Sequence, residues 1–84
     1  MKKFTFYPEG VCSMMIEIEL GDDNVINEVV FTGGCNGNLS GISKLIQGMK
    51  AEDVIGKLEG TRCGFKDTSC PDQLSKALRQ AMQS

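Results

Sequence analysis

Met14, Ile16, Ile18 and Leu20 alternate with Met15, Glu17 and Glu19, and this two-residue period is the strongest constraint on the fold. A strand with that pattern buries one face and leaves the other to water. It needs strands beside it and a layer of other elements over its apolar side. Phe4-Thr5-Phe6-Tyr7, stopped by Pro8, supplies one neighbouring strand. Val25 to Thr32, rich in β-branched and aromatic residues, supplies the other after the turn residues Gly21-Asp22-Asp23-Asn24. The first 32 residues are therefore predicted to form a three-stranded antiparallel meander.

The covering layer is helical. Leu39, Ile42, Leu45, Ile46 and Met49 fall on one helical stripe, capped at its start by an Asn and ended near Gly48. A second, short helix begins at Lys50-Ala51-Glu52-Asp53, buries Val54, Ile55 and Leu58, and closes at Gly60. Thr61 to Asp67 reads as a loop. Leu74, Ala77, Leu78, Ala81 and Met82 then mark a third helix, with Cys70 expected as N-cap, Pro71 at the first helical position and Gln73 at the capping-box position. The expected fold class is α+β: the meander followed by two or three helices packed on one face, in a single domain spanning residues 1–84.

At 84 residues, 40% of them hydrophobic, the chain has one modest core, near the size at which a metal site or an oligomer often helps. The net charge of -2 and pI near 5.0 argue against direct nucleic-acid binding. The basic start Met1-Lys2-Lys3 leads into no apolar run long enough for a signal peptide or a membrane span, so the expected location is cytoplasmic. In that reducing compartment Cys12, Cys35, Cys63 and Cys70 read better as metal ligands or reactive thiols than as structural disulfides. Histidine is absent, which removes the Ser-His-Asp triad, the Cys-His pair and any His-bound zinc.

Cys12 precedes the second strand and Cys35 follows the third, so an antiparallel hairpin brings the two positions together. Cys70 heads the last helix, whose N-terminus favours a thiolate. If these element ends meet at one rim, Cys12, Cys35 and Cys70 form a soft site for zinc, iron or an iron-sulfur cluster, with Cys63 as a candidate fourth ligand. The spacing is not that of a paired C-x-x-C ribbon, and buried inert cysteines are the competing explanation. Asp67 and Asp72 flank Cys70 as candidate oxygen ligands or helix caps. The turn holding Gly33, Gly34, Asn36 and Gly37 could cradle a phosphate, although simple turn geometry also accounts for it, and it matches neither a P-loop nor G-x-G-x-x-G. Two further functional readings stay open. One is a thiol-disulfide protein in which Cys70 exchanges with Cys63 or Cys35; the other is a structural or homo-oligomerising domain with inert cysteines.

Thr68-Ser69-Cys70-Pro71-Asp72 is the string for which the TSCPD domain is named. Phe31 to Leu39, Gly41-Ile42, Leu58-Glu59-Gly60 and Gln73-Leu74 resemble the rest of that family's small stand-alone branch. TSCPD domains also stand at the C-terminus of ribonucleotide reductases, and the resemblance implies a link to that biology. It makes a reductase, or an iron-sulfur or redox protein, the expected partner, with metal or nucleotide binding suggested for the domain. Reductase activity itself needs a large catalytic barrel that 84 residues cannot contain. A more distant similarity, to U-type iron-sulfur cluster scaffolds, implies the same three ligands, Cys12, Cys35 and Cys70. Met14 and Ser69 stand where those scaffolds carry an aspartate and a histidine, which leaves Cys63 to complete the set.

Overall fold

The computed structural model describes residues 2–8, 10–11, 13–34, 36–61 and 68–83. Strands β1 (Lys2–Phe6), β2 (Ser13–Leu20) and β3 (Ile26–Gly33) are followed by helices α1 (Asn36–Ile46), α2 (Ala51–Leu58) and α3 (Cys70–Gln83). The sheet is antiparallel in the order β1-β2-β3, so the expected α+β arrangement is the one observed. Among the described residues no helix is long and apolar enough to cross a membrane.

The alternation in β2 decides which side is covered. Ile16, Ile18 and Leu20 are buried, and their ladder partners Phe6, Phe4, Phe31, Val29 and Ile26 turn to the same side. α3 lies across β2 and β1, α1 runs along β3, and α2 packs on α3. Leu74, Ala77, Leu78 and Ala81 of α3 are fully buried, as the helical period requires. Ala51, Val54 and Ile55 join them from α2.

Two bulges adjust this pattern. Glu19 pairs with Glu28 while Leu20 pairs with Ile26, so Asn27 is an extra residue. The inward set of β3 thereby shifts from Ile26 to Val29 and Phe31. The Gln47 side chain donates to the Asn27 carbonyl at 2.9 Å and holds the bulge to the end of α1. At the other end of β2, Ser13 pairs with Gly33 and Met15 with Thr32. Met14 is the extra residue there, and it is 71% exposed. This corrects the expectation that Met14 continues the buried face: the bulge ends the alternation one pair early.

The β2–β3 turn has Asp23 and Asn24 at φ of 57° and 60°, and the Val25 N–H donates to the Asp22 carbonyl at 3.2 Å. Positive φ at both central residues is the type I′ arrangement that suits strand twist, and Asp and Asn tolerate it best after Gly. β3 is then anchored on its outer edge. The Ile26 N–H donates to the Met49 carbonyl and the Gly48 N–H to the Ile26 carbonyl, both at 2.8 Å. The α1–α2 connection is thus a short extension of the sheet rather than a free loop.

Leu45 also departs from expectation. It is 77% exposed, whereas Leu39 and Ile46 are buried and Ile42 is half-buried. α1 rides an edge strand, so only a narrow stripe of it meets the sheet, and Leu45 falls outside that stripe. The contrast is testable by urea denaturation. Ile18→Ala is expected to cost about 2–5 kcal/mol, and Leu45→Ala to change stability by no more than about 0.5 kcal/mol.

Candidate functional site

Cys12, Cys35, Cys63 and Asp67 lie outside the described residues, and Cys70 lies within them. What the structure gives for the first two is the course of the chain around them. Ser13 is the ladder partner of Gly33, so the residue after Cys12 sits opposite the residue two before Cys35. Gly10, at φ 72°, passes close to Thr68; a Cβ on it would stand 3.3 Å from the Thr68 methyl group. The residue two before Cys12 therefore lies beside the residue two before Cys70. The start of β2 thus lies beside the end of β3, and the connection before β2 runs beside the segment before α3.

The head of α3 is built from the side chains of the Thr68–Asp72 string. Ser69 Oγ accepts the Asp72 N–H at 3.1 Å, and the Ser69 carbonyl accepts the Gln73 N–H at 2.8 Å. Ser69 is therefore the N-cap, Cys70 the first helical residue and Pro71 the second. This corrects the expectation that Cys70 caps the helix and Pro71 opens it, and it moves Gln73 one place beyond the capping-box position. A serine hydroxyl is a far better acceptor for an amide than a thiol is. Pro71 remains in the first turn, where its missing N–H has no intrahelical partner to lose.

Asp72 occupies the third helical position with only 5% of its surface exposed. Its Oδ1 accepts the Gly60 N–H at 2.7 Å. Its Oδ2 accepts the Thr68 hydroxyl and lies 3.8 Å from Lys76 Nζ one turn on. Thr68 Oγ1 in turn accepts from the Gln73 amide at 3.0 Å, and Ser69 Oγ donates to the Thr61 carbonyl at 2.7 Å. The Thr68 hydrogen bond first, then the Gly60 amide, with Lys76 adding, hold the Asp72 carboxyl below its ordinary value; burial opposes them and is outweighed. The buried Ser75 hydroxyl donates to the Asp72 carbonyl at 2.6 Å and stiffens the same turn. Farther along α3, Arg79 meets Glu59 at 2.7 Å in an exposed pair that adds a second brace to the end of α2.

Both Asp72 oxygens and the Ser69 hydroxyl are engaged within the protein, and Cys70 is half-buried in the first turn of α3. Among the described residues no group of three or more Cys, Asp or Glu side chains is arranged to hold a metal ion. In the Gly-rich turn, Gly33 and Gly34 take φ of 82° and 77°, a conformation that favours glycine. Asn36 and Gly37 fall inside the first turn of α1.

The network of Gly60, Thr61, Thr68 and Ser69 was not assigned from the sequence. The signal for part of it is Ser69-x-x-Asp72 ahead of an apolar helical run, a capping-box pattern. The Gly60 contact has no local signal, because 12 positions separate it from Asp72.

Ser69→Ala should cost about 1 kcal/mol as a lost cap, and Asp72→Asn about 1–3 kcal/mol as buried donors lose an acceptor, both read by denaturant unfolding. Since folding lowers the Asp72 pKa, its contribution is complete above the unfolded value of about 3.9 and fades as pH falls through the lower folded value. Unfolding curves between about pH 5 and pH 2 should therefore show an acid loss of stability that Asp72→Asn flattens.

No curated protein and no solved structure matches the chain. A family model does: that of the TSCPD domain aligns with residues 2–82, nearly the whole length. With the Thr68–Asp72 string at the head of α3 and the match running from β1 to the end of that helix, the chain belongs to the TSCPD domain family.

Proposed function

We propose that this chain is a cysteine-based metal-binding accessory module serving ribonucleotide reduction in the cytoplasm, with a ribonucleotide reductase or an iron-sulfur or redox protein as its partner. The observations that support the reading are two approaches of the chain: Ser13 pairs with Gly33, and Gly10 lies beside Thr68. Cys12, Cys35 and Cys70 each lie within two residues in sequence of one of those contacts, which supports a shared site. Cys63 is the fourth ligand in this reading. It follows by two residues the Thr61 carbonyl that Ser69 binds.

The donor chemistry fits. Histidine is absent and the oxygens of Ser69 and Asp72 already hydrogen-bond within the protein, which favours a sulfur ligand set, the preference of zinc and of iron-sulfur clusters. Zinc would supply a cross-link between the sheet and α3, and a cluster would supply an electron-transfer centre. A cross-link suits a domain of 84 residues, whose single core leaves little stability in reserve. Membership of the TSCPD family is consistent with a reductase-associated role.

The test is metal analysis of anaerobically purified protein and of single Cys→Ser variants at positions 12, 35, 63 and 70. Near-stoichiometric zinc or iron, lost on changing Cys12, Cys35 or Cys70, is the expected result. A folded, metal-free protein whose thiols form a reversible pair would replace this reading with the thiol-disulfide one. Four thiols that react only after unfolding would leave a structural domain.

A further inference from the structure

We propose that the open edge of β1 is a self-association surface, on which a second copy of this chain pairs its own β1 antiparallel with Thr5 on the two-fold axis. The two three-stranded sheets then join into one, whether or not the chain binds metal. The two edges of the sheet are not alike. Along β3, Val25 bridges to Lys50, Ile26 is bonded to Gly48 and Met49, and α1 runs alongside. Among the described residues β1 pairs with β2 alone, and an uncovered edge is a template for a further strand. Lysines guard such edges, yet Lys2 and Lys3 both stand at the start of β1, and Phe4, Thr5, Phe6 and Tyr7 after them bring no charge. Phe4 and Phe6 are half-buried at the margin of the core, and Tyr7 is 70% exposed.

The charge pattern of the strand selects both the partner and the register. A basic start and an aromatic end complement each other when two copies run antiparallel, which sets Lys3 of each copy against Tyr7 of the other, a cation over a ring face. The faces of the two sheets stay aligned where a residue, not a peptide bond, lies on the axis. Centring on Lys3 opposes two lysines, and centring on Phe4 leaves them diagonal at about 7–8 Å; like charges penalise both. Centring on Phe6 runs the pairing into Pro8. Centring on Thr5 avoids all three. It sets Phe4 against Phe6 twice on the helix side and Thr5 against Thr5 on the open side, both favourable cross-strand pairs. Lys2 is held within its own copy, where Nζ donates to the Met82 carbonyl at 3.3 Å. Lys3 stands 4.0 Å from Glu19 in an exposed pair, which holds it weakly. Because α3 lies over β1 as well as β2, the two-fold also brings the two copies of α3 together on one side of the joined sheet.

The test is analytical ultracentrifugation of the full chain over a wide range of concentration, under reducing conditions that keep intermolecular disulfides out. A monomer–dimer equilibrium is the expected result. Thr5→Lys sets two lysines face to face on the axis, yet within each copy the new lysine stands opposite Glu17. Its circular dichroism should therefore match the unaltered protein while the dissociation constant rises about tenfold or more. Tyr7→Ala, which removes the ring from Lys3 at both ends, should raise it about fivefold or more. In a mixture of isotope-labelled and unlabelled chains, the Phe4 ring of one copy should show a nuclear Overhauser contact with the Phe6 ring of the other. A monomer at every concentration overturns the proposal and leaves the edge to water or to a strand of another protein. A dimer that both substitutions leave intact overturns it as well, since another surface then joins the copies. Should Thr5→Lys fail to fold, Tyr7→Ala and the contact between Phe4 and Phe6 decide the matter.

Discussion

A buried carboxylate joins the end of α2 to the start of α3. Asp72 accepts the Gly60 N–H and the Thr68 hydroxyl, and an ionised group at 5% exposure is tolerable only because donors surround it and the helix N-terminus favours negative charge. That bond network fixes where α3 begins. α3 in turn supplies Leu74, Ala77, Leu78 and Ala81, which lie over β2 and β1. The covering of the sheet and the position of Cys70 both follow from one turn of helix.

Much of the fold was legible because the deciding signals are periodic. Ile16, Ile18 and Leu20 announce a one-faced strand, and the stripe from Leu74 to Ala81 announces a helix that covers it. The departures lie where periodicity is interrupted by something non-local. Met14 has the right parity for burial, yet a bulge at the sheet end turns it out. Asn27 reverses the inward set of β3 by the same device, and its anchor is Gln47, 20 positions away. Leu45 matches a helical stripe in sequence but faces water, since α1 runs along the edge strand β3 and only a narrow stripe of it meets the sheet.

At the site, residue type was more informative than exact role. The string Thr68 to Asp72 marks the head of a helix on sequence grounds alone. Which residue caps it depends on the competition between a hydroxyl and a thiol, and the hydroxyl of Ser69 takes the amide. The sequence offers Asp72 as a ligand or a cap; its long-range partner Gly60 has no signal in local spacing. Gly33 and Gly34 share their turn with Asn36 and Gly37 in the sequence, but only the first two take positive φ, because the helix begins at Asn36.

The functional account depends on sulfur. On the proposed reading a metal at this rim is held by thiolates, since the chain has no histidine and the Ser69 hydroxyl and Asp72 carboxylate already hydrogen-bond within the protein. X-ray absorption at the metal edge of the loaded protein tests that claim most directly. The account predicts a first shell of sulfur, at about 2.3 Å if the metal is zinc. A first shell dominated by oxygen or nitrogen at about 2.0 Å would contradict it.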